Sequence, residues 1–307
     1  MTYYLLILFD LASSRKILTR IKSAKNIAQI TKAMQMVSAS KMKKAQDLAI
    51  NGEPYSQQLR EILISLLSTA TKFTHPLLET NKEADKDLCL FVTTNKGLCG
   101  GLNTNHFRDM MRWYRQNKQT DFVTIGKRGR MLMASLGANI VADFSDLTDT
   151  IEFTDAIPIS QFILDEYNKH NYRRVYFSYN QFITTLSQKP TRLQLLPIDV
   201  NELKDSLGLL EELTEEETRK FEPKEYVIEP NKKQIINWLL PYFIELQLYH
   251  FLLENKASEH SARMVAMKNA SENAKEVQNQ LRLIYNRMRQ QQVTFELADI
   301  ITASMAV

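Results

Sequence analysis

The sequence predicts an α+α/β fold: an antiparallel coiled coil of the N- and C-terminal helices plus a central Rossmann-like α/β domain. Three observations predict it. All eight glycines lie between Gly52 and Gly208 and all eight prolines between Pro54 and Pro241, so both ends of the chain lack helix breakers. Each end carries apolar and small residues at alternating steps of four and three, the spacing of a coiled-coil seam. Between them, apolar strand-like runs alternate with helical segments, the pattern of a layered domain with a largely parallel sheet.

Taken in order, residues 1–11 form an atypical N-terminal extension whose apolar run "YYLLILF" (3–9) does not continue the seam. At seven residues that run is too short to span a bilayer, and it lacks the basic flank and cleavage site of a signal peptide. Residues 12–71 hold the N-terminal coiled-coil helix and a following helix. Its seam reads Ile17, Ile21, Ala24, Ala28, Thr31, Gln35, Ser38, Met42 and Ala45, and Ile27, Ile30, Met34 and Val37 leave a second stripe on another face. Residues 72–200 form the α/β domain. Strands are expected at 87–93, 121–125, 139–142, 173–178 and 191–197, with helices at 104–117, 128–137 and 157–170. Residues 201–233 are an acidic linker, with ten acidic against four basic residues over 201–229. Residues 234–307 form the C-terminal coiled-coil helix, with its seam at Tyr242, Leu246, Tyr249, Leu253, Ala257, His260, Met264, Met267, Ser271, Ala274, Gln278 and Leu281. As one helix, Tyr242 to Val307 would be about 100 Å long, which requires a partner. Because both terminal helices flank one domain, they can pair only as an antiparallel hairpin.

The chemistry-bearing residues are few. "TTNKGLCGGLN" (93–103) has the order of a phosphate-cradling loop, but Gly97, Gly100 and Gly101 fit neither G-x-G-x-x-G nor G-x-x-x-x-G-K-[ST]. These glycines read as a structural strand-to-helix turn that uses their backbone freedom. Cys89 and Cys99 have no metal-ligand spacing and make no disulfide framework, so reduced thiols are expected. A net charge of +4 gives a weak whole-molecule field and does not by itself imply nucleic acid. Two rival readings remain at this point: a nucleotide-binding α/β protein, and a nucleic-acid-binding coiled coil using the basic 15–46 helix. The second would need basic residues on one face with interleaved aromatics, and the helix has neither.

Three stretches, "RIKSAKNIAQITKAMQMVSASKMKKAQ" (20–46), "TTNKGLCGGLN" (93–103) and "ASEHSARMVAMKNASENA" (257–274), resemble the gamma subunit of bacterial-type F-type ATP synthases. Weaker similarity continues through 177–197 and 285–300. The resemblance implies a non-catalytic rotor shaft with no cofactor, metal or catalytic residue of its own. Its implied partners are the alpha and beta subunits of the catalytic head, the epsilon subunit and the membrane rotor ring, with no nucleic acid. It implies a peripheral position on the cytoplasmic face of the bacterial plasma membrane. By the same resemblance, Met34 matches the position that touches an acidic lever of beta. Arg289 and Gln290 match a pair that catches a loop of the head, and Thr294 and Glu296 match polar positions one turn on. "EYVIEP" (225–230) resembles the foot on the membrane ring, giving Tyr226 and Glu229, with Ile228 where a second Tyr is common. Family members begin with Met, a few small or polar residues and then the first helix. The expectation here is a start at Leu11, read as Met, or at Ala12; the alternative is a genuine extension lying along the head.

Overall fold

A computed structural model describes residues 2–68, 75–199, 229 and 231–305, with backbone alone for 2–14 and 68. Its elements are α1 (Thr2–Ser68), a 3-10 turn (Pro76–Leu78), β1 (Asp87–Val92), α2 (Leu102–Gln116), β2 (Thr120–Ile125), α3 (Lys127–Ser135), β3 (Ile140–Asp143), α4 (Phe153–Asn168), β4 (Arg174–Phe182), β5 (Gln188–Leu196) and α5 (Lys232–Met305). They divide into two compact units, one of residues 1–38 with 263–307 and one of residues 39–262.

In the first unit the N-terminal part of α1 pairs with the C-terminal part of α5. The chain leaves this unit along α1 and returns to it along α5, so the pairing is antiparallel. The buried positions are small: Ala24, Ala28 and Ser38 on α1, with Ser271 beside the larger Met267 on α5. Half-buried Ile17, Ile21, Thr31 and Gln35 fall on the same 4,3 steps, as do Met264, Ala274, Gln278 and Leu281. The small side chains let the backbones approach, and Ser271 Oγ donates to the Ala28 carbonyl at 3.1 Å. The α5 periodicity continues beyond the expected seam through half-buried Tyr285, Met288 and Gln292.

In the second unit the sheet order is β3-β2-β1-β4-β5, parallel except for the antiparallel β4–β5 hairpin at one edge. Every residue of β1 and β2 is buried because both sheet faces are covered. Leu88, Leu90 and Val92 face a core completed by α1, α4 and α5, while Cys89 and Phe91 face Met110 and Tyr114 of α2 and Met133 of α3. The hairpin extends the expected 173–178 and 191–197 strands by several residues, closing through Thr184 and Ser187, which exchange backbone hydrogen bonds. α1 also differs from the expected pair of helices: it runs unbroken through Gly52 and Pro54. A proline there removes one helix hydrogen bond and costs about 3 kcal/mol, offset by packing on α5. A Cβ at Gly52 would lie 2.9 Å from the His250 ring, Ser56 Oγ lies 2.5 Å from His250 Nε2, and the Tyr55 and Tyr242 hydroxyls are 3.0 Å apart.

Candidate functional surfaces

The glycine loop joins β1 to α2 and is tied side-on to the β2–α3 turn. Leu98 and Gly100 have positive φ of 63° and 57°, and Gly101 is the N-cap of α2. Asn103 Nδ2 donates to Thr94 Oγ1 (2.7 Å) and Cys99 Sγ (3.4 Å), and Thr94 Oγ1 donates to the Lys96 carbonyl (2.7 Å). A helix N-terminus binds anions through its free N–H groups. At α3 those groups are already engaged: Lys127 N–H donates to Asn95 Oδ1 (2.9 Å), Arg128 N–H to the Thr94 carbonyl (3.2 Å), and Gly129 N–H to Thr93 Oγ1 (2.8 Å). The closest fit in the junction is at Gly126, with φ 104°, where a Cβ would stand 2.3 Å from the Thr93 carbonyl oxygen. The loop works as a clamp between two turns.

Open α/β sheets take ligands in the crevice at the carboxyl ends of the strands, where the strand order reverses. Here that point lies between β1 and β4, and protein fills it. β1 pairs as far as Phe91 with Ser178, and two residues on, Asn180 N–H donates to Asn255 Oδ1 of α5 at 3.1 Å. Asn180 Nδ2 is 3.3 Å from the same oxygen and 3.2 Å from His106 Nδ1, and His106 Nε2 is 2.9 Å from Ser178 Oγ. The amide can only donate to Nδ1, which assigns the Nε2–H tautomer to a neutral imidazole. Burial drives the His106 pKa down to about 3, opposed by Asp109 and assisted by Arg192. Beside it, burial pushes the Cys89 thiol up to about 12, which keeps it a packing group. Among the described residues no cluster of three or more His, Cys, Asp or Glu could hold a metal ion.

The first unit exposes its chemistry differently. Ile27 and Ile30 are 52% and 60% exposed, and Met36 and Val37 are exposed beside them. Met34 is half-buried on the same helix. On α5, Leu283, Ile284, Val293, Phe295, Leu297, Ile300 and Ile301 are all exposed. Arg289, Gln290, Thr294 and Glu296 stand among them, exposed, with Thr294 Oγ1 donating to the Gln290 carbonyl and Gln292 Nε2 to Glu296 Oε1. From Arg15 to Gln46, α1 has nine basic and no acidic residues. Glu229 is exposed, and Tyr226 lies outside the described residues. Met34 on α1 and Arg289 to Glu296 on α5 are thus all in the helical unit, and Gly97 to Gly101 in the other.

Sequence reasoning did not find the His106–Ser178–Asn180–Asn255 network, nor Gly126 and Gly129. The network joins three elements far apart in sequence. The Gly126 signal was available: a glycine directly after the apolar run 121–125 and before a helix.

A family model described as ATP synthase matches residues 13–307. An ATP synthase gamma chain of Coxiella burnetii is 38% identical over 302 residues, covering 97% of this chain and 100% of the relative. One from Methylacidiphilum infernorum is 40% identical over 306 residues with the same coverage. Among solved structures, the rotor of the Euglena gracilis mitochondrial ATP synthase superposes with a TM-score of 0.61 at 21% identity, over 92% of this chain and 99% of that one, a likeness of fold. No helix among the described residues is long and apolar enough to cross a membrane.

Proposed function

This chain belongs to the ATP synthase gamma-chain family, and we propose that it works as the central rotor that couples ion flow in the membrane sector to ATP synthesis or hydrolysis on beta subunits. The observation that carries the reading is the apolar surface of the helical unit. A helix pair with Ile27, Ile30, Phe295 and Ile300 exposed on both helices calls for a sleeve of other subunits. In such a sleeve an asymmetric shaft acts like a ligand, biasing otherwise equal catalytic subunits through unequal contacts. Met34, in the Arg15–Gln46 stretch of α1 that carries only basic charge, is suited to meet an acidic lever, and Arg289, Gln290, Thr294 and Glu296 to engage a loop of the head. Tyr226 and Glu229 would serve the foot on the membrane ring, with the epsilon subunit alongside. The chain would lie peripherally on the cytoplasmic face. Catalysis resides elsewhere in the complex in this reading, and the rotor supplies coupling free energy between sites.

The test is co-expression with alpha and beta subunits followed by proton-pumping measurements. The wild-type chain should co-purify with both, and Met34→Lys should assemble normally while pumping fewer protons per ATP. Failure to co-purify defeats the rotor reading. An assembled Met34→Lys complex with unchanged pumping defeats the role of that residue.

A further inference from the structure

Residues 51–54 of α1, Asn-Gly-Glu-Pro, spell the end of one helix and the start of another. Glycine is favoured just past a helix end and proline in the first helical turn. Pro54 has no N–H to give to the Ile50 carbonyl four residues back, and its ring disfavours a helical Glu53. The helix nevertheless runs through all four residues. Local propensity opposes that continuity, and three contacts in the second unit support it. The His250 ring of α5 sits against the notch left by Gly52, where a Cβ would stand 2.9 Å from its Cε1. Ser56 Oγ lies 2.5 Å from His250 Nε2 and 3.2 Å from the Gly52 carbonyl oxygen, tying ring and turn together. One residue past the proline, the Tyr55 hydroxyl meets that of Tyr242 at 3.0 Å.

We propose that Asn51–Pro54 is a conditional hinge in α1, latched in its helical form by His250 and released when that imidazole takes up a proton. The latched and released forms differ by one turn of helix, with local propensity against the turn and the α5 contacts for it. The groups around the ring do not welcome a charge there. From α1 it meets Glu53 and Arg60, which already pair with each other at 3.1 Å and leave no carboxylate dedicated to an imidazolium. On α5 the adjacent Tyr249 ring is neutral. Glu254, one turn further on, is hydrogen-bonded to Tyr179 of β4. Burial lowers the pKa of His250, with Glu53 opposing the shift and Arg60 adding to it. With the folded pKa depressed, the neutral ring's contribution is complete above about 6.5 and fades as pH falls through the folded value. Acid therefore favours the open hinge. The inference stands independently of the rotor reading.

The experiment is amide hydrogen exchange of the full chain, read by mass spectrometry from pH 7.5 to pH 5 and corrected for intrinsic chemical rates. In a helix the amides of Tyr55 to Gln58 bond to the carbonyls of residues 51–54, so they report the opening of this turn. Their corrected exchange should be flat above about pH 6.5 and rise several-fold below it, with about tenfold per pH unit as the ceiling for one proton. Amides of Met42 to Gln46, on the same helix, should not follow. His250→Phe keeps a ring in the notch without a basic nitrogen and leaves Ser56 its bond to the Gly52 carbonyl. It should hold exchange low at every pH. Pro54→Ala removes the break and should flatten the profile as well, and it decides the matter if circular dichroism shows His250→Phe unfolded. A flat profile in the wild type overturns the proposal. So does a pH-dependent rise that survives in Pro54→Ala or in folded His250→Phe.

Discussion

The helical unit and the sheet unit use opposite kinds of side chain. The sheet unit buries Leu63, Leu88, Phe177, Ile159 and Leu240, large residues covered on every side. The helical unit buries small residues, Ala24, Ala28, Ser38 and Ser271, with Met267 as the one large apolar exception among the described residues, and leaves Ile27, Ile30, Phe295 and Ile300 in solvent. At about 25 cal/mol per Å² of apolar area removed from water, the first inventory stabilises its unit by itself, and the second does little more than align two helices. The contrast separates two tasks. One unit holds its own shape, and the other presents a surface whose apolar area is completed by something else.

The sharpest break of this contrast is at the clamp. Gly126→Ala should destabilise the sheet unit by about 4 kcal/mol, from positive φ and a clash with a backbone oxygen that cannot move away. Urea unfolding measures it, and a loss under 1 kcal/mol would show that the β1–α2 and β2–α3 turns are not locked together as described. Next comes Leu63→Ala, buried in the sheet unit, expected to cost about 3 kcal/mol. Its counterpart in the helical unit, Ser271→Ala, should cost about 1 kcal/mol, the value of one hydrogen bond. Equal costs would erase the comparison.

A pH titration sharpens it further. Burial depresses the folded pKa of His106 to about 3 from its ordinary value near 6.5, so the buried neutral imidazole contributes stability that is fully present above about 6.5 and lost as pH falls towards 3. His106→Gln should show a shallower loss of stability across that window in unfolding curves recorded from pH 7 to pH 4. An identical slope would mean that His106 is not held neutral by burial. The smallest effect is kinetic: amides of residues 285–305 should exchange with solvent far faster than those of β1 and β2 in the isolated chain, seen by mass spectrometry. Equal protection would mean that the helical unit needs no partner.

The parts legible in the sequence are those governed by local periodicity. Every expected seam residue from Ile17 to Ala45 and from Tyr242 to Leu281 is buried or half-buried, because a 4,3 spacing fixes which face a helix presents regardless of context. The strand runs were legible because β1 and β2 are covered on both faces, so Leu88 to Val92 and Phe122, Val123 and Ile125 are apolar. The antiparallel pairing of β5 was not, since its first residues, Gln188 to Arg192, are mostly polar, include a proline and are exposed or half-buried at a sheet edge. Nor was the continuity of α1, where Gly52 and Pro54 signal a break that packing against His250 and Tyr242 overrides. His106 gave no signal at all: its meaning depends on Ser178 and Asn180, more than seventy residues away. Among the candidate coupling residues, Arg289, Gln290, Thr294 and Glu296 look from the chain alone like ordinary exposed helix positions, and only the resemblance singled them out.

The crevice between β1 and β4 has one last consequence. In enzymes of this architecture a diffusible cofactor arrives there and leaves again, and the sheet reports its coming and going. Here the occupant is Asn255, a side chain of the protein's own last helix, hydrogen-bonded to a strand backbone that β1 has left behind. It is a tethered ligand in a receptor that cannot release it. A displacement of α5 at Asn255 therefore reaches the sheet as a change in the pose of that ligand, through hydrogen bonds whose angles do not tolerate much rotation. A recognition pocket has become a mechanical joint.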